Sequence, residues 1–187
     1  MTVERTIDAA VEPITRDQVE DKLILSADFD GDRVDLLIAA ARKSLERKLR
    51  RSFITQTWRL KLDDWPEGET IFLPNGKILA ITSFTYLDAD EVSQTLVDGT
   101  DYEFSNNGDQ GRLIPISSWP AVLTTQKEVI TVVYTAGYGT SADDVPESLK
   151  EACLGMVGMM YDGHKCGDMV KALSDSYRID FEWYIND

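Results

Sequence analysis

Val34, Leu37, Ile38, Ala41, Leu45 and Leu49 recur at the three-and-four spacing that lines one side of a helix. This spacing predicts a helix of about five turns beginning near Asp32. Past Ser52 the period drops to two: Ile54, Trp58, Leu60 and Leu62 share one face, and Thr55, Thr57, Arg59 and Lys61 share the other. A half-buried strand thus follows the helix almost without a linker, so that one rigid element carries the next.

Ahead of the helix, Met1 to Pro13 shows no period. Thr15 with Gln18 three residues on is a capping-box pattern that opens a short helix with Val19, Leu23 and Ile24 on its inner side. From Ile54 to Ala136 the chain reads as short strands and turns: Ile71 to Leu73 before Pro74-Asn-Gly, Leu79 to Leu87 turning through Asp88-Ala-Asp-Glu into Val92 to Val97, then Asp101 to Phe104, Arg112 to Ile116 and Glu128 to Thr135. Gly137-Tyr-Gly ends this part, Pro146 suits a first helical turn, and Leu149, Ala152, Cys153, Met156, Val157 and Met160 form a second long stripe. Neither stripe can be buried alone, so the two long helices are expected to pack together. The fold class expected is α+β: a small α-helical bundle with an inserted antiparallel β-sandwich or barrel module. Residues 1–53 and 138–176 would form the helical part, 54–137 the β module and 177–187 an extended tail.

Composition narrows the class. With 187 residues, 43% of them hydrophobic, the chain can fold as one domain or as a small domain carrying an insertion. Its longest apolar runs fall far short of the ~20 residues that span a bilayer, and Met1-Thr-Val-Glu-Arg lacks the apolar core of a signal peptide, so synthesis inside a cell and no membrane role are expected. Two cysteines are too few for a disulfide framework. The net charge of -14 opposes sequence-independent attraction to nucleic acid. Cations nevertheless crowd one place, Arg42, Lys43, Arg47, Lys48, Arg50 and Arg51 at the end of the long helix. They suit the negative pole of the helix dipole, and they also make a basic face that an acidic face of another subunit would complement.

Catalytic chemistry finds little support. His164 is the only histidine, two residues before Cys166, with no Cys-x-x-Cys or His-x-x-x-His spacing to complete a metal site and no orienting acid for a nucleophile. Ser26, Asp28, Asp30 and Gly31 start like a calcium loop, but its twelfth position is Leu37 rather than a bidentate Glu. Adjacent acids such as Asp63 and Asp64 are expected by chance among 33 carboxylates. No enzyme, cofactor or metal is expected. A monomeric β-sandwich binding module, with Trp65, Trp119 and Tyr138 stacking on a glycan or a protein, is the alternative.

A family resemblance rests on several short runs in order. Ile54-Thr-Gln-Thr-Trp-Arg-Leu, Asp64-Trp-Pro, Ser83-Phe-Thr-Tyr-Leu-Asp-Ala-Asp, Trp119-Pro and Val133-Tyr-Thr-Ala-Gly-Tyr-Gly before Val145-Pro together resemble the head-to-tail connector proteins of tailed bacteriophages, also called adaptor or head-completion proteins and found in gene transfer agents. The resemblance covers roughly Thr15 to Tyr161. It implies a structural virion protein made in the bacterial host cytoplasm: a homo-oligomeric ring, usually of twelve copies, beneath the portal protein, which extends the DNA channel and docks a tail or stopper protein. DNA would pass through without specific binding, and an acidic lining would suit that passage; Asp28, Asp30, Asp32, Asp143, Asp144 and Glu147 are the candidates. Arg42, Arg47 and Arg50 are the candidate subunit contacts. In Ile179, Phe181, Trp183, Tyr184 and Ile185 an extended apolar-aromatic tail offers a portal-binding segment that adds a strand or fills a groove.

Overall fold

The computed structural model describes residues 1–24, 30–107 and 110–162. The chain forms two compact units, one of Met1–Ala9 with Thr55–Gly137 and one of Ala10–Ile54 with Tyr138–Asp187.

The first unit is all β. Its strands are β1 (Thr2–Ile7), β2 (Gln56–Leu62), β3 (Ile71–Leu73), β4 (Ile78–Leu87), β5 (Ser93–Thr95), β6 (Tyr102–Asn107), β7 (Gln110–Pro115) and β8 (Ile130–Ala136). They make a five-stranded sheet in the order β1-β2-β8-β4-β5 and a three-stranded sheet in the order β3-β7-β6. Every pairing is antiparallel. Because β1 and β5 are open edges, the larger sheet does not close, and the barrel alternative gives way to two open sheets. Strand β8 shows why the sheets face each other: Ile130, Val132 and Tyr134 are buried while Thr131, Val133 and Thr135 alternate with them on the outside. The inward residues join Leu60, Phe84, Ile71, Leu73 and Leu113 from both sheets in one apolar cluster. Tyr134 brings a hydroxyl into that cluster and donates it to the Pro74 carbonyl at 2.9 Å.

Strand β1 departs from the expectation of an unstructured start grouped with the helices. It pairs with β2 from Thr2 opposite Lys61 to Ile7 opposite Thr57. Its period is hidden because the inward position after Val3 is Arg5, whose guanidinium lies 5.9 Å from the Trp58 ring and donates to Gln56 at 3.0 Å. A cation serving an inward position reads as polar in sequence.

The second unit holds α1 (Arg16–Leu23), α2 (Gly31–Leu49) and α3 (Glu147–Tyr161), with a single 3-10 turn at Ala142–Asp144. Helix α1 begins with the expected Thr15–Gln18 capping box. Asp30 caps α2 by accepting from the Arg33 N–H at 3.2 Å. The buried faces of the long helices are the two stripes, Val34, Ile38, Ala41, Leu45 and Leu49 against Leu149, Ala152, Cys153, Met156 and Val157. They run antiparallel, since Arg33 in the first turn of α2 donates to the Tyr161 carbonyl at the last residue of α3. Lys22 of α1 pairs with Glu151 of α3 at 3.0 Å.

Candidate functional site

The cationic end of α2 divides into two populations. Arg47, Lys48 and Arg50 are exposed, as is Lys43. Arg42 is not: it is 2% exposed, with Nε and Nη2 on the two oxygens of Glu12 at 2.7 and 3.2 Å and Nη1 on Glu46 at 3.0 Å. The expectation that Arg42 meets an acidic neighbour in another subunit is therefore corrected, because its acids come from its own chain. Position 42 follows Ile38 by four residues and lies beside the buried stripe, where an uncompensated cation would be very costly. Glu46 also accepts the Phe53 N–H at 2.9 Å, which anchors the segment that leaves the helix. Neither Glu12, thirty residues upstream, nor the Phe53 amide can be paired with Arg42 or Glu46 by periodicity. The only advance signal was Glu46 itself, a lone acid among cations.

Next to this ion cluster sits Cys153. Its thiol is buried, and desolvation, reinforced by the nearby carboxylates of Glu46 and Glu12, pushes it up to about 12. Such a thiol is neutral at physiological pH and is no nucleophile.

The acidic candidates separate. Asp30 and Asp32 are exposed at the start of α2, whereas Asp143, Asp144 and Glu147 are exposed at and before the start of α3. The helices are antiparallel, with Tyr161 at the end of α3 beside Arg33, so the two groups lie at opposite ends of the pair, about 21 Å apart along the axis from Tyr161 to Glu147. Several also have local work: Asp144 accepts the Ser141 N–H at 2.9 Å, Asp32 lies 3.8 Å from Arg16, and Glu147 pairs with Lys150 at 2.6 Å. Arg16 mainly engages Asp35 through a hydrogen bond that holds the Asp35 carboxyl below its usual value. Asp28, His164 and Cys166, together with Ile179, Phe181, Trp183, Tyr184 and Ile185, lie outside the described residues.

The aromatics proposed for ligand stacking are occupied. Trp65 and Trp119 stack on each other at 4.6 Å, and their indole N–H groups donate to the carbonyls of Pro120 and Glu69. Tyr138 accepts from Arg51 at 3.0 Å through its hydroxyl. Asp63 and Asp64 accept the N–H groups of Glu128 and Trp65, holding turns rather than facing each other as an acid-base pair. Among the described residues there is no cluster of three or more His, Cys, Asp or Glu able to hold a metal ion, and no helix is long and apolar enough to cross a membrane.

Comparison with known proteins agrees with this picture of a scaffold whose polar groups serve packing. A family model described as head completion protein matches residues 12–166. Three solved structures share the fold at 20% sequence identity over 95% of both chains: the neck of an empty GTA particle computed with C6 symmetry (TM-score 0.79), the virion of a native gene transfer agent particle (0.78) and the neck of a native GTA particle computed with C12 symmetry (0.76). No curated protein matches the chain.

Proposed function

The chain belongs to the head completion protein family, and from that premise we propose that it is a head-to-tail connector that assembles as a ring of twelve copies beneath the portal of a filled capsid. In this role it extends the DNA channel and presents a docking surface to a tail or stopper protein. The observation that carries the proposal is the shared fold, over 95% of both chains, with a chain from a neck treated with twelve-fold symmetry. The helical unit packs around the ring. Arg47 and Arg50 face acids of the neighbouring copy, and residues 177–187 reach the portal. Asp30 and Asp32 sit at one end of the helix pair and Asp143, Asp144 and Glu147 at the other, so at most one of these groups lies at the narrowest level of the channel; Asp28 belongs with the first by sequence. DNA passes an acidic wall without being gripped, because fixed phosphate contacts would cost mobility.

Light scattering across a concentration range, with grid imaging of any large species, tests the ring. Twelve copies of a 21.0 kDa chain give about 252 kDa. A chain that stays monomeric both alone and with portal added refutes the proposal. Truncation after Ser176 separates the tail: the shortened protein should keep its fold and lose portal capture, and unchanged capture would remove the tail from the interface.

A further inference from the structure

Strand β1 holds to its sheet without burying a side chain: its residues are exposed or half-buried, and none is fully buried. Its attachment is polar. Besides the ladder with β2, Thr2 Oγ1 donates to Glu128 at 2.8 Å, Arg59 to Glu4 at 2.9 Å, Arg5 to Gln56 at 3.0 Å and Thr6 Oγ1 to the Thr57 carbonyl at 3.2 Å. An edge strand of this kind opens more readily than a strand with buried side chains. Its seat does not suit being empty. Behind it, β2 is a seven-residue strand whose Gln56 is 1% exposed and whose Trp58 lies under Arg5. Without β1 this becomes a long, regular edge, which recruits another strand.

The segment that follows β1 can cross a gap. Residues 8–11 belong to no helix or strand and lead from β1 into the helical unit, where the chain is fixed again by Glu12 on Arg42 and by buried Ile14. Two apolar side chains mark this link, Ile7 at 61% and Val11 at 44% exposed. Their own chain leaves both largely in water. The five residue steps from Ile7 to Glu12 span at most about 17 Å.

Resting on the ring reading above, we propose that β1 is exchanged around the ring: Thr2–Ile7 of each copy pairs with β2 of the next, in the register that the two strands show within one chain. The exchange re-forms the same ladder and the same polar bonds, and it draws Ile7 and Val11 into the seam between copies, where they lose water. Giver and receiver are different surfaces, so the contact is heterologous, the kind that closes a ring. A strand from a different protein fits the seat less well. The register sets Glu4 against Arg59 and Arg5 against Gln56 and Trp58, a match that this sequence itself supplies.

Cross-strand cysteines test the exchange on the full chain. Glu4 and Arg59 face each other in the ladder with side chains 45% and 41% exposed, so Glu4→Cys and Arg59→Cys remove only an exposed ion pair and stand within disulfide reach. With Cys166→Ser in both, equal amounts of Glu4→Cys chains and Arg59→Cys chains are assembled, alone or on portal, and oxidised. Exchange links the two kinds into a pair, two chains of 21.0 kDa making about 42 kDa on a non-reducing denaturing gel, and rings of either kind alone give no such pair. A chain carrying both cysteines, oxidised as a monomer, locks β1 to its own sheet. Its assembly should fall about tenfold, because each junction loses one of its linked contacts, and should return with reductant. A native circular dichroism spectrum for each variant separates lost exchange from lost fold. A ring whose mixed chains stay unlinked, or one that locked chains build as readily as free ones, overturns the exchange and leaves the ring intact. A chain that stays monomeric alone and with portal overturns both.

Discussion

Replacing Arg42 by Ala tests whether the ion cluster under α2 holds the helical unit together. Arg42 is 2% exposed and Glu46 6%, while the Glu12 side chain is 31% exposed. Removing the guanidinium therefore strands one buried carboxylate rather than two, since water can reach Glu12 but not Glu46. Glu46 would lose its guanidinium while still accepting the Phe53 N–H. Breaking a buried pair from one side costs about 3–5 kcal/mol, and the hydratable Glu12 places this case near the lower figure, about 3 kcal/mol. That is a large share of the roughly 5–15 kcal/mol that holds a domain. Urea denaturation of the full chain followed by far-ultraviolet circular dichroism, to which the helices contribute most, reads the loss. Arg42→Met combined with Glu46→Gln removes the stranded charge and leaves an oxygen for Phe53, so it should recover to within about 1–2 kcal/mol of the parent. Raising the salt should leave the deficit of the single variant nearly unchanged, as the pair is shielded from counterions. A loss under about 1 kcal/mol, or a double variant as unstable as the single one, would refute the reasoning.

Three further outcomes follow from other parts of the molecule. With Cys166 replaced by Ser, iodoacetamide at neutral pH should leave Cys153 unlabelled in the native chain and label it fully in urea; because folding raises this thiol from 9.0 to about 12, both states are protonated below pH 9, and stability should then fall by about 1.4 kcal/mol per pH unit as the pH rises from 9 towards 12. Ile24 ends α1 in the left-handed region at φ 52° and is 90% exposed, so Ile24→Asn should relieve backbone strain without losing burial and raise the melting temperature by an amount worth about 1 kcal/mol; a lower melting temperature would show that the isoleucine is held by something else. A Cβ at Gly111 would meet Ile78 Cγ1 at 2.5 Å and Phe104 Cε2 at 3.2 Å, so Gly111→Ala should cost about 1–3 kcal/mol by chemical denaturation, and a neutral effect would mean that the buried Ile78 shifts freely.

Periodicity alone determined the two helical stripes, the Thr15 cap and the alternation of β8, because each depends on residues a few positions apart and on a period that burial of one face imposes. It determined the class and, through short runs in a particular order, the family to which the residues point. It did not place β1, whose inward position is filled by Arg5 against Trp58, nor distinguish Arg42 from the solvated cations that surround it. Both turn on partners 30 to 53 residues away, Glu12 for Arg42 and Trp58 for Arg5, and a cation that is satisfied at a distance looks identical in sequence to one in water. The acids divide for the same reason. Local patterns put Asp and Glu at the starts of α2 and α3, but only the antiparallel packing of those helices sets the two groups at opposite ends. Tertiary structure alone also decided which charges remain available: it consumes Arg42, Asp88 and Asp144 internally and leaves Arg47, Asp90 and Glu91 facing outward, since each ion is either compensated where it is buried or left to water and whatever docks there.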